Sequence, residues 1–379
     1  MAERLRLTVA CGDYEIVRAL KEGAVKADGL DLVMLTGMGP RERHWRMARK
    51  AEFDVCEANV GAYFMERDHG IPLTAIPVFL HRRFRHGFLF VNAAAGIREP
   101  KDLIGKKVGG TNFQPASNIW MRGILEEEYG LPHRQVTWMV ERSEDVAFAP
   151  PKDLIGKKVG GTNFQPASNI WMRGILEEEY GLPHRQVTWM VERSEDVAFT
   201  PPKDLRIEMI PPGKQLDVML AEGEIPAMLS PELPPLFLKG DKRIVRLFPN
   251  YKDVELAYFH RTGIFPIMHV TTIRQEIVDK YPWVPTNLVK AFEAAKNLAY
   301  RRIANPRMVP IAWVRTALEE QEEVLGPDPW AYGLTPANRK NLETVLRYTH
   351  QQGMISRTLP LDALFADTDL GDAGGPDGI

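Results

Sequence analysis

Cysteine is nearly missing: Cys11 and Cys56 are the only two in 379 residues. Two thiols cannot build a disulfide framework, and neither stands in a zinc-type spacing. An excess of one charge is missing as well. With 48 Lys and Arg against 50 Asp and Glu, the formal net charge is -2, which argues against a surface for nucleic acid. No apolar run approaches the roughly 18 residues that cross a bilayer, so no membrane partner is expected. The opening MAERLRLTVACGDYE enters a strand pattern at once, without a basic n-region, apolar h-region or cleavage site; the expectation is a cytoplasmic chain. GxGxxG after the first strand, Walker A, HExxH, GxSxG and clustered Cys/His ligands are all absent. Dinucleotide, nucleoside triphosphate, zinc-peptidase and serine-hydrolase chemistries therefore lack support. No cofactor is predicted, no motif fixes a metal, and metal dependence stays open.

What is present is a regular alternation of strand and helix. LRLTVAC and LDLVMLTG read as strands around an amphipathic helix, YEIVRALKEGAVKADG, that ends in glycine. FDVCEANV, LTAIPVFL and GFLFVN follow as strands, with helices in RERHWRMARK and VGAYFMERDHG. A second unit runs from KKVGGTN through SNIWMRGILEEEYG, QVTWMV, DLRIEMIPPG and KQLDVMLAEGEIP to AMLSPELPP. The chain returns through GIFPIMHVTTIR to the helices NLVKAFEAAKNLAYRRI and ANRKNLETVLRYTHQQG. Such alternation predicts an α/β protein of two lobes, each a mainly parallel sheet flanked by helices. The expected division is 1–92 plus 264–370 for lobe I and 93–263 for lobe II, with 371–379 a disordered tail. Ligands of such sheets sit beyond the carboxyl ends of the strands.

Residues 100–148 recur without a change at 151–199, and Pro-Lys-Asp-Leu returns a third time at 202–205. Stacked-repeat folds need about three or more copies with atypical ends, so this is one strand–helix–strand unit written twice. Removing one 51-residue period leaves 328 residues. Both copies have equal intrinsic propensity, so connectivity must choose which one joins the lobe II sheet. The second copy is expected there, because RIEM and AMLSPELP follow it directly, and the other copy would then pack at the edge or protrude.

Five loops fall at strand ends. The first holds Cys11, Gly12, Asp13 and Tyr14; the second holds Glu57 and Asn59. The third is HRRFRH, with His81, Arg82, Arg83, Arg85 and His86. The fourth is GGTNFQPASN, which opens a helix whose free N–H groups could hold a carboxylate. It supplies Thr111, Asn112, Gln114 and Ser117, or Thr162, Asn163, Gln165 and Ser168 in the second copy. The fifth is Ser230-Pro231, with His269 in a separate strand. Packing roles compete: Cys11 suits a small buried filler, Asp13 a helix cap, and His260 and His269 structural histidines. At least two of the charged side chains in HRRFRH must be plain solvated charge. Glu57, an acid ending an apolar strand, is harder to assign to packing. Residue chemistry alone reaches a two-lobed protein closing on a small anionic ligand.

The strings ACGDYEIVRAL, EFDVCEANVGAYF, IPVFLHRRFRHGFLFVNAAAGIREPKDLIGKKVG, TGIFPIMHVTTIR, YPWVPTNLVKAF and DPWAYGLTPANRKNLETVLRYTHQQG together resemble the 4,5-dihydroxyphthalate decarboxylase family. The resemblance covers nearly the whole chain apart from the tail and one copy of the repeat. It implies the type II periplasmic-binding-protein fold in a cytosolic enzyme that converts 4,5-dihydroxyphthalate to protocatechuate and CO2. The implied partner is a small aromatic carboxylate; assembly into a homo-oligomer stays open. For that reaction, Arg82 or Arg85 would clamp the retained carboxylate. His86 or His269 would act as acid or base, and Glu57 or Asp13 would orient a histidine or accept the phenolic proton. Cys11, Gly12, Tyr14, Asn59, Ser230 and the GGTNFQPASN loop would contact substrate. Two other readings stand beside it: a non-catalytic carboxylate-binding protein such as a sensor, and a different lyase on the same fold.

Overall fold

The computed structural model describes residues 4–110, 113–140, 206–210, 213–230, 232–351 and 354–368, together with the strands at 158–161 and 188–191. Thirteen strands are placed among these residues. They are β1 (Leu5–Ala10), β2 (Leu30–Leu35), β3 (Val55–Asn59), β4 (Leu73–Ile76), β5 (Leu89–Asn92), β6 (Lys107–Gly110) and β7 (Thr137–Val140). The remainder are β8 (Lys158–Gly161), β9 (Thr188–Val191), β10 (Arg206–Met209), β11 (Ala227–Leu229), β12 (Ile244–Arg246) and β13 (His269–Arg274). The first sheet has the order β2-β1-β3-β13-β4 and the second β10-β7-β6-β11-β5-β12.

Helices α1 (Glu15–Lys21), α2 (Pro40–Lys50) and α3 (Val60–Asp68) connect the strands of the first sheet, and α4 (Ala116–Tyr129) joins β6 to β7. The later helices are α5 (Leu216–Ala221), α6 (Pro235–Leu238), α7 (Tyr251–Thr262) and α8 (Gln275–Lys280), then α9 (Val284–Ala304), α10 (Val314–Leu325), α11 (Pro336–Gln351) and α12 (Leu361–Leu364). α1 ends eight residues before the glycine expected to close it. Gly23 has φ +72 and breaks the helix first, while Gly29, at φ +71, makes the turn into β2.

Each sheet is parallel except for one strand: β13 opposes β3 and β4, and β5 opposes β11 and β12. The exceptions are the two strands that the chain enters from the other sheet. Parallel strands all finish at the edge facing the cleft, so a chain arriving across the cleft starts there and runs backwards. The two crossing segments lie side by side, with Arg83 N donating to Pro266 O (3.1 Å) and Met268 N to His81 O (2.9 Å). A division at Asn92 is therefore too late: Leu89–Asn92 pairs in the second sheet, and the crossing precedes it.

The duplication resolves against the expectation. β6 and β7 of the first copy occupy the second sheet, and β10 pairs with β7. β8 and β9 of the second copy pair with each other, Lys158 opposite Thr188 as Lys107 is opposite Thr137. Identical sequences cannot decide this by propensity. The β7-to-β10 connection lies at the sheet's edge, so an extra 51 residues can leave there without crossing a neighbour. An excursion between β5 and β6 would start in the sheet's middle, where β11 separates them. The first copy's helix is also tied to the other lobe: Trp120 Nε1 donates to Ile267 O (2.8 Å), and Ala116 N donates to Asn59 Oδ1 (3.1 Å). The tail expected to be disordered, 371–379, lies outside the described residues.

Candidate functional site

Glu57 stands at the middle of β3, two residues before its carboxyl end, and is fully buried. Strand alternation turns it away from Cys56 and towards α2, where Arg43 is buried as completely. Its Oε2 accepts from Arg43 Nη2 (2.7 Å) and from Gly12 N (2.8 Å). Its Oε1 accepts from Tyr14 OH (2.9 Å) and His269 Nδ1 (2.5 Å). Burial alone would raise the Glu57 carboxyl. The charge and hydrogen bond of His269, then Arg43, outweigh it and hold Glu57 well below the usual carboxylate range. A permanent anion therefore fixes the His269 ring by Nδ1 and leaves Nε2 towards the cavity.

That cavity measures about 1300 Å³ and lies between the two sheets and helices α9 and α10. Tyr14, His44, Asn59, His81, Arg85, Gln114, Ser117 and His269 face it. Asn59 Oδ1 binds the N–H groups of Gly61 and Ala62 at the start of α3 as well as Ala116 N, so one side chain joins the helix starts of both lobes. The far wall carries Tyr300 and Trp330. It is held by Lys296, fully buried, whose Nζ lies 2.5 Å from Asp328 Oδ2 and 2.9 Å from Glu293 Oε1. Tyr300 OH donates to the other Asp328 oxygen (3.0 Å).

The structure separates the two arginines put forward as clamps. Arg82 Nη2 donates to Ala331 O (3.0 Å) and Asn338 Oδ1 (2.6 Å), bracing the loop that presents Trp330. Arg85 is 1% exposed, and its Nη2 donates to Ser230 O (2.6 Å). Burial, then Arg83, pushes it down to about 9, and it remains a cation at neutral pH. Glu232 and Glu255 favour its charge from a distance, but among the described residues no carboxylate pairs with it directly, so this buried cation facing the cavity is suited to a ligand anion.

Other candidates fall elsewhere. His86 sits among Tyr129, Phe248 and Tyr258, ring centroids 5.3–6.0 Å away, off the cavity wall. Both of its nitrogens are enclosed, and burial, then Arg261, pushes it down to about 4. Asp13 is exposed and paired with Lys21 (2.8 Å). Cys11 is buried below the site, its thiol pushed up to about 12 by burial and then by Glu57. Gly12 contributes its N–H to Glu57, and Ser230 its carbonyl to Arg85. Thr111, Asn112, Thr162, Asn163, Gln165 and Ser168 lie outside the described residues. Among the described residues, no group of three or more His, Cys, Asp and Glu is placed to hold a metal ion, and no helix is long and apolar enough to cross a membrane.

A curated 4,5-dihydroxyphthalate decarboxylase of Comamonas testosteroni is 30% identical over 370 residues, 97% of this chain and 98% of its own length. The chain belongs to the 4,5-dihydroxyphthalate decarboxylase family. A second curated decarboxylase of that name, from Pseudomonas putida, is 29% identical over 65% of this chain and 78% of its own. The NMT1/THI5-like family model matches residues 15–147. Among solved structures, the periplasmic aliphatic sulphonate binding protein SsuA of Escherichia coli aligns over 97% of this chain and 98% of its own, at 10% identity and TM-score 0.47. In this decarboxylase family member the two-sheet α/β fold carries a carboxy-lyase.

Sequence reasoning missed Arg43, His44 and Glu66. The first two stand at the start of α2, just after β2, a strand end that is not among the five loops because RERHWRMARK reads only as a connecting helix. Glu66 lies on α3 two turns beyond Asn59. It is 4% exposed, lines the cavity, has Oε2 enclosed without a partner, and is pushed up to about 8 by burial.

Proposed function

We propose that this chain removes one carboxylate from 4,5-dihydroxyphthalate, giving protocatechuate and CO2. The observation that carries the reading is the Glu57–His269 pair opening on the cavity, within a chain similar end to end to a curated enzyme of that name. Each carboxylate of this substrate is para to a hydroxyl. His269 Nε2 takes the phenolic proton, and the electron pair moves through the ring to the ipso carbon. That carbon accepts a proton from the neutral Glu66 carboxyl, the bond to the carboxylate breaks, and CO2 leaves with its carbon's bonding pair returned to the ring. His269 then returns its proton to the product oxygen, and solvent reprotonates Glu66. One proton is consumed per CO2 released. Arg85 holds the carboxylate that stays, and Glu57 keeps the His269 ring in one tautomer.

Incubation with 4,5-dihydroxyphthalate, following protocatechuate and CO2, tests the reading. His269→Ala is expected to lower kcat about 100-fold or more. Arg85→Ala is expected to raise KM about tenfold or more, the loss of a charged hydrogen bond. Unchanged turnover in both variants would falsify the assignment. Tight binding without CO2 release would favour a capture protein instead.

A further inference from the structure

Three imidazoles meet on one wall of the cavity. His44, from α2, and His81, from the outgoing crossing segment, stand edge-on to His269 with ring centroids 5.2 and 4.8 Å from it. Only His269 has a carboxylate partner. In each flanking ring one nitrogen, His44 Nε2 or His81 Nδ1, is enclosed without a partner among the described residues, and both residues line the cavity. Polar atoms in a protein interior are ordinarily satisfied, and no described residue bonds either of these two nitrogens.

Their charge state narrows what they can receive. Burial first and His269 second hold His44 well below its ordinary value, and the same causes take His81 down to about 3. Both rings are neutral at pH 7. A neutral imidazole presents one donor or one acceptor according to tautomer, and a hydroxyl can answer either. A carboxylate needs donors and gains most from a cation, which Arg85 supplies. We propose that His44 and His81 recognise the adjacent ring hydroxyls of a catechol-type acid, setting the preference of this cavity for hydroxylated over plain aromatic carboxylates. This rests on the cavity being an aromatic-acid site, as read above.

Calorimetric titration of the full chain with protocatechuate and with benzoate tests it, because the two ligands differ only in their hydroxyls. His44→Phe and His81→Phe are each expected to weaken protocatechuate about tenfold, the loss of one buried hydrogen bond, and to leave benzoate within about twofold. His44→Gln and His81→Gln, which retain a hydrogen-bonding group, should recover part of the loss. Benzoate binding doubles as the control for a folded variant. Equal weakening of both ligands, no weakening of either, or a wild-type chain without preference between them overturns the proposal. A wild-type chain that prefers protocatechuate yet releases no CO2 from 4,5-dihydroxyphthalate overturns the decarboxylase reading and supports this one.

Discussion

Glu57 and Glu66, nine residues apart, show what burial does to a carboxyl with and without partners. Glu57 keeps its charge because Arg43, His269, Tyr14 and Gly12 all donate to it. Glu66 has burial as the sole cause of its shift and is driven towards the neutral acid. The linkage has a definite sign. The ordinary value is 4.5 and the folded value about 8, so between them the native state holds a proton that the unfolded chain loses. Stability is complete below about pH 4.5 and falls as pH rises towards 8, by up to about 3 kcal/mol at pH 7. Glu66→Gln removes the ionisable group without changing its shape. Its melting midpoint should exceed wild type by several degrees at pH 7.5 and by little at pH 5. The same variant should release CO2 about 100-fold more slowly while binding protocatechuate normally; wild-type turnover would remove Glu66 from the chemistry.

At the scale of elements, the decisive contact is α4 against α11. A Cβ on Gly123 would lie 2.2 Å from Tyr348 Cδ2, closer than any side chain tolerates, and the ring is fully buried. Gly123 is therefore a packing requirement of the first copy's helix. Gly174 is the same residue in the second copy. Gly123→Ala should cost about 1–3 kcal/mol, measured by chemical denaturation, and Gly174→Ala should cost almost nothing. Equal losses would mean that both copies compete for the position beside Tyr348. The pair of changes is informative because the two segments are otherwise indistinguishable in sequence.

At the scale of the whole molecule, the second copy adds 51 residues to a connection at the edge of one sheet. Deleting Pro151–Pro201 shortens the run between Val140 and Arg206 from 65 residues to 14 and leaves every described cavity residue in place. Decarboxylase activity and the elution volume of a compact chain should survive the deletion. Deleting Pro100–Pro150 instead transfers the role to an identical segment, so that chain should be equally active. Loss of activity in either would show that both copies are used.

Much of this was legible before any coordinates. Strand–helix alternation follows from hydrophobic period and glycine placement, which are local, so the sequence determined the α/β class, the near positions of most elements, and Glu57 as an acid too costly to bury without purpose. Family likeness put forward Arg82 beside Arg85 and His86 beside His269 without choosing within either pair. Three matters belonged to tertiary structure alone. His86 and His269 are both histidines beside apolar residues, and only the packing shows one inside an aromatic cage and the other on a carboxylate. Arg43 and His44 sit on a helix that the sequence offered only as a connection, and they reach the site because α2 leaves β2 at the sheet's edge and crosses past β1 to enter β3. Which of two identical segments enters the sheet cannot be written in either segment. It depends on where the surplus chain can leave, and that is a property of the assembled sheet.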